Sequence, residues 1–136
     1  MIEFTIHSKP KPLKRHRSTR FGKMYDPSSK DKKQIWLQIA KFRPKKPLIG
    51  NIMILITFYM PRPKNHYRAG KFKHLLKDNV PEYHKSKPDL DNLVKMLLDV
   101  IGKNRMIVDD SQVCRIQAEK IYDEKPRTEV YIEEIY

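Results

Sequence analysis

The sequence predicts an α/β fold of the α+β kind: one compact domain over residues 1–136, with a mixed sheet of about four strands, two main helices and the order β-α-β-α-β-β. Three observations predict it. At 136 residues the chain can bury one core but hardly two. Two segments space their apolar residues as helices do and four as strands do, and the two kinds are interleaved along the chain. A hydrophobic content of 39% excludes a disordered polyelectrolyte, while the longest apolar run, residues 52–60, is far short of the ~20 needed to span a bilayer. No basic-then-apolar leader opens the chain, so the expected setting is the cytoplasm, with no membrane partner.

Each element has its own signal. "IEFTIH" alternates Ile2, Phe4 and Ile6 on one face, a period-2 strand. "SSKDKKQIWLQIAKF" opens on Ser28 or Ser29 as N-cap, places Ile35, Trp36, Ile39 and Ala40 at helical spacing and stops before Pro44. "NIMILITFYM" is apolar on both faces, which predicts a central strand covered on both sides. A second helix is expected from about Asp91 to Gly102, with Leu90, Leu93, Val94, Leu97, Leu98 and Ile101 as its buried arc. Met96, Val100 and Trp36 lie beside the main stripes, available either to the core or to an interface. Two final β runs, "QVCRIQAEKIY" and "TEVYIEEIY", flank the turn "DEKPR". The lone Cys114 cannot form an internal disulfide and is expected to be a small buried thiol.

Charge points to a partner. Residues 1–87 carry 22 Lys and Arg against 5 acids, whereas residues 88–136 carry 7 against 11, so the net +13 is concentrated in one part of the chain. Such a surface attracts polyanions, because neutralising phosphates releases condensed counterions. Two segments carry most of it. A basic loop over residues 9–25 offers Lys9, Lys11, Lys14, Arg15, Arg17, Arg20 and Lys23, with Phe21 and Tyr25 as stacking faces. A mobile basic flap over residues 62–87 offers Arg62, Lys64, Arg68, Lys71, Lys73, Lys85 and Lys87, interleaved with Tyr67, Phe72 and Tyr83. His66, His74 and His84 are too irregularly spaced for a metal signature and read as surface imidazoles.

Against this background the acids stand out. Asp89 and Asp91 sit at the mouth of the second helix, where a single Asp would serve as an N-cap but a second adds repulsion unless a cation lies between them. Lys87 or Lys95 could supply that charge, and so could a divalent metal. Asp91, Lys95 and Asp99 follow one another at i, i+4 along one edge of the buried arc, so an ordinary helix-surface pair is the plain alternative for Lys95. A second pair, Asp109 and Asp110, precedes the third long strand. Adjacent side chains in a turn point apart, so one can be structural and the other functional. The "GKNRMIVDD" connection is long enough to return part of the way toward the helix start, which would bring Asp109 or Asp110 near Asp89 and Asp91.

"DLDNLVKMLLDVI" followed by "IVDDSQV" resembles the signature of the RusA family of Holliday junction resolvases, closely over residues 88–113 and more loosely beyond, where "FGKMYDPS" leads into the first helix. The lengthened flap and the charge-rich end depart from the compact members. The resemblance implies a homodimeric endonuclease that makes paired symmetric nicks across four-way junction DNA, with Mg²⁺ (or Mn²⁺) and no organic cofactor. Carried over by position, Asp89, Asp91 and Asp110 would bind the metal, Asp109 would be a neighbouring acid able to join them, and Lys95 would be the lysine of the motif. Two further functions fit the residues: a non-catalytic nucleic-acid-binding protein, and a nuclease of this fold acting on another branched DNA or RNA.

Overall fold

The computed structural model describes residues 1–15 and 17–136, so that of the basic loop only His16 lies outside the described residues. The elements in chain order are β1 (Ile2–Ile6), β2 (Arg17–Ser18), β3 (Met24–Tyr25), α1 (Ser29–Ile39), β4 (Asn51–Pro61), α2 (Leu90–Lys103), β5 (Val113–Asp123) and β6 (Arg127–Ile135). Four strands form one mixed sheet in the order β1-β6-β4-β5. β4 runs parallel to β5 and antiparallel to β6. Parallel neighbours need a crossover, and the flap followed by α2 is that crossover. The short β2–β3 ladder pairs Arg17 with Tyr25 and folds the basic loop back on itself.

Ile2, Phe4, Ile6, Ile52, Ile54, Ile56, Phe58, Met60, Val130 and Ile132 fill one sheet face, and α1 and α2 cover it. The expectation that β4 is covered on both sides is corrected. Its burial alternates, with Met53, Leu55, Thr57 and Tyr59 half-exposed on a face that no described element covers. Both helices pack on the same side of the sheet, and a single layer of helices suffices for a domain this small.

The buried arc of α2 is also rotated from the one expected. Met96 and Val100 are fully buried, while Leu90, Val94 and Leu98 are only half-buried. The cause is α1, which packs against α2 on the Met96 side and encloses positions that a sheet alone would leave open. Met96 and Val100 are therefore core residues rather than interface candidates.

Cys114 is another correction, for it is exposed, its Sγ near the Gln112 carbonyl. β5 is an edge strand whose outer side carries no neighbour at this point, so a small apolar residue there has nothing to bury against. No helix among the described residues is long and apolar enough to cross a membrane.

Candidate metal and nucleic-acid site

Asp89 occupies the N-cap position of α2, with extended backbone angles, yet its side chain makes no capping hydrogen bond. The carboxylate turns away to Lys87, whose Nζ lies 2.9 and 3.0 Å from its two oxygens. Capping therefore does not explain this Asp. The loop that presents it is fixed from below, because Lys120 on β5 donates to the carbonyls of Ser86 (2.8 Å) and Pro88 (2.7 Å). Burial lowers the Lys120 ammonium's pKa, and nearby Asp89 works against that shift. In the first turn of α2, Asp91 is exposed and meets Lys95 at 4.0 Å, the i,i+4 contact open to it on the helix surface.

Of the other acidic pair, Asp109 is structural. It caps the turn 110–112, accepting from Ser111, while the Gln112 side chain accepts from the Asp109 N–H. These hydrogen bonds hold the Asp109 carboxyl below its usual range. Gln112 does more, for its Oε1 also accepts from Val108 N–H and its Nε2 donates to the carbonyls of Leu48 and Gly50, tying the acidic turn to the entry of β4. The Gln of the D-D-x-Q-V motif is thus the clip that sets the direction of its neighbours.

Asp110 points the other way, over the last turn of α2, where a Cβ built on Gly102 would lie 3.6 Å from its Oδ1. Partial desolvation raises its pKa, and Asp109 and Asp99 raise it further by like charge. Among the described residues no donor or cation pairs with its carboxylate. It opens on a cleft of about 600 Å³ lined by Lys14, Arg15, Lys95, Lys103 and Asp99 among others.

The expected convergence of Asp89, Asp91 and Asp110 does not occur within one chain. Eleven residues separate Asp91 from Gly102 along α2, which at 1.5 Å per residue is about 16 Å. Among the described residues no group of three or more His, Cys, Asp or Glu is placed to hold a metal. The connection that was to carry Asp110 back is used up locally: Met106 and Ile107 are buried, and Leu48 pairs with Ile107 and donates to the Met106 carbonyl. The acids therefore stand in two separate places, Asp89 and Asp91 at the start of α2 and Asp110 beside its end, with Lys95 between them.

The basic loop reaches both. Leu13 N–H donates to the Asn92 carbonyl in the first turn of α2, and Lys14 N–H donates to Ser28 Oγ, so the segment runs beside the helix toward the Asp110 cleft. Lys9, Lys11, Lys14, Arg15, Arg17, Arg20 and Lys23 are all exposed, as are Lys64, Arg68, Lys71, Lys73, Lys85 and Lys87 in the flap. Phe21, Tyr25, Phe72 and Tyr83 are exposed among them, a mixture of cations and flat rings suited to a nucleic-acid backbone and unstacked bases. The flap is tied at its base, where Tyr83 bridges to Ile121.

Sequence reasoning missed Lys32. It lies on the buried face of α1 and is 7% exposed, with its ammonium between Asp26 and Asp99. Asp99, one of the two acids that the i,i+4 spacing offered to Lys95, pairs with Lys32 at 2.6 Å and Lys103 at 3.7 Å. The signal was present, since Lys32 shares its helix face with Ile35 and Ile39.

Comparison with known proteins gives the family. The family model for the endodeoxyribonuclease RusA matches residues 7–133. An uncharacterized protein of Bacillus subtilis strain 168, YqaN, is 34% identical over 140 residues, covering 98% of this chain and 96% of its own length. The crossover junction endodeoxyribonuclease rusA of Lactococcus phage r1t is 32% identical over 114 residues, covering 82% of this chain and 77% of that protein. With its D-L-D-N-L-x-K helix, its capped D-D-x-Q-V turn and a family match across nearly its whole length, the chain belongs to the RusA endodeoxyribonuclease family.

Proposed function

We propose that the protein is a Mg²⁺-dependent endonuclease that resolves four-way DNA junctions by paired nicks, acting as a homodimer whose catalytic sites are completed by the partner. The observation that carries this reading is Asp110, a carboxylate without a cationic partner among the described residues, against like charge, beneath a basic loop. A group kept in that setting is a poor contributor to stability and a good candidate for function.

A two-fold arrangement joins the half-sites. α2 and β5 run antiparallel, since Lys120 lies under Pro88 at one end and Asp110 over Gly102 at the other. Residues 82–84 cover the outer edge of β5 at 120–122, but Cys114, Arg115, Ile116 and Gln117 are exposed, with Ile116 on the helix-side face at 41%. Pairing this open stretch with itself around Ile116 lays two α2 helices side by side and antiparallel, brings each half-buried row of Leu90, Val94 and Leu98 toward its copy, and directs Asp110 toward the partner's Asp89 and the partner's Asp91. An isologous contact of this kind also suits the task, because paired nicks need two centres related by a two-fold axis.

Within such a site the carboxylates offer the hard oxygen ligands that Mg²⁺ takes, and the bound cation would supply an activated water and charge neutralisation at the phosphate. Lys95, 4.0 Å from Asp91 and exposed, stands ready to meet a phosphate oxygen. The exposed cations of the loop and flap attract the DNA arms.

The test is a nicking assay on a synthetic four-way junction beside linear duplex, with and without Mg²⁺, for the wild type and Asp91→Asn. Junction nicking that requires Mg²⁺ and vanishes in the variant, with junction binding kept or tightened, is the expected result. Undiminished nicking by Asp91→Asn removes the metal site, and binding without nicking by the wild type favours the non-catalytic alternative.

A further inference from the structure

Around Lys87 and Pro88, the two residues that precede Asp89, lies a second cleft of about 320 Å³, formed where the flap leaves and rejoins the sheet. Lys9, Arg62, His84, Lys87, Pro88 and Tyr122 line it, and no acid does. Tyr122 is its hub. The Arg62 guanidinium lies 5.2 Å over the Tyr122 ring, and the rings of His66 and His84 meet it edge-on at 4.9 and 5.1 Å. Arg62 is held further by the Pro81 carbonyl, to which its Nη1 donates at 2.9 Å, and by His66 Nδ1 at 3.3 Å. The two legs of the flap are thus clamped together through one arginine. The returning leg is fixed to the sheet by His84 N–H donating to the Lys120 carbonyl and Tyr122 N–H donating to the Glu82 carbonyl.

The cleft is positive as well as rigid. Burial lowers the pKa of His84, and the positive charges of Lys120 and Lys9 lower it further, while its Nδ1 is buried with no partner among the described residues. A positively charged concavity with a pre-positioned guanidinium is complementary to a phosphate group.

We propose that this cleft is a phosphate subsite for the DNA strand that runs into the Asp89 half-site, with Arg62 and Lys9 as its ligands, and that the flap exists to build it. The proposal rests on the junction-nuclease reading and deepens it. Lys87 connects the two places, being part of the cleft wall while its ammonium pairs with Asp89. A strand whose backbone phosphate is seated between Lys9 and Arg62 therefore passes directly beside the candidate catalytic carboxylates. A loose basic flap would add affinity without register; a seated phosphate fixes which bond lies at the metal.

The experiment measures junction binding by the full-length protein in Ca²⁺, using junctions in which single phosphates within three nucleotides of the cut are replaced by uncharged methylphosphonates. For the wild type, one position should weaken binding by about tenfold, the size of one charge-assisted contact. Lys9→Gln and Arg62→Gln should each lose most of that discrimination at the same position and at no other. Lys9→Gln serves as the control for Arg62→Gln, whose arginine also clamps the flap. Both variants retaining full sensitivity at every position, with their own losses simply adding to those of the methylphosphonates, would overturn the subsite. Because binding is read without cleavage, that result is distinguishable from a failure of the nuclease reading, which the nicking assay reports separately.

Discussion

Lys32 on α1 reaches across the helix interface to Asp99 on α2, Nζ to Oδ2 at 2.6 Å, while also holding Asp26 from the segment that follows the basic loop. One buried ammonium thereby ties together three parts of the chain that border the Asp110 cleft. The hydrogen bonds and charges of both acids outweigh its desolvation and raise its pKa, so it stays protonated.

Removing one partner of such a cluster leaves charge uncompensated. Lys32→Met is expected to lower stability by about 3 kcal/mol, at the low end for buried pairs because Asp99 remains partly open to water. Urea denaturation measures it. Replacing all three residues by apolar ones of similar volume should recover most of the loss, and a loss under about 1 kcal/mol for Lys32→Met would show the cluster to be incidental.

Asp110 behaves oppositely. Its pKa is raised in the folded protein, so the folded state holds this proton more tightly than the unfolded state does. Its contribution to stability is present below the unfolded value and is lost as pH rises through the folded one. Asp110→Asn should therefore have a higher melting temperature than the wild type at about pH 7–8. The difference should shrink toward zero as pH falls below about 4, where the wild-type carboxyl is also neutral. The same variant should lose junction cleavage by more than about 100-fold, since even partners that merely orient a metal ligand are worth up to that much. A gain in melting temperature with cleavage intact would separate Asp110 from the chemistry.

The proposed pairing through β5 would place Ile116 opposite its own copy. In a Cys114→Ser background, Ile116→Cys should form a disulfide-linked dimer under mild oxidation, because facing Cβ atoms in an antiparallel pair lie about 4.5–5.5 Å apart, close to disulfide reach. Ile116→Lys should yield a monomer with little cleavage. A dimer that neither crosslinks nor responds to the lysine must be built on another surface.

For the basic loop the readout is salt. Neutralising Lys14, Arg15 and Arg17 together to Gln should reduce the slope of log K against log salt by about 2–3, roughly 0.9 for each duplex phosphate that the loop no longer neutralises. An unchanged slope would mean that the loop does not touch the DNA backbone.

Much of this protein was legible in its residues. Strong periodicity located every long element, because a two-layer domain must bury one face of each strand and one stripe of each helix, and Ile2-Phe4-Ile6 or Leu93-Leu97-Ile101 can do that in few other ways. The acids of the candidate site could be singled out too, since an Asp pair in a basic chain at a helix mouth is anomalous before any coordinate is known. Tertiary structure decided what depends on neighbours distant in sequence. α1 settled that Met96 and Val100 are interior, and the edge position of β5 settled that Cys114 and Ile116 are not. Burial of Met106 and Ile107 consumed the connection after α2 and kept Asp110 at the far end of that helix from Asp91. Spacing along the chain states only how far two carboxylates could travel toward each other; where they stop is determined by which apolar residues between them must first be buried.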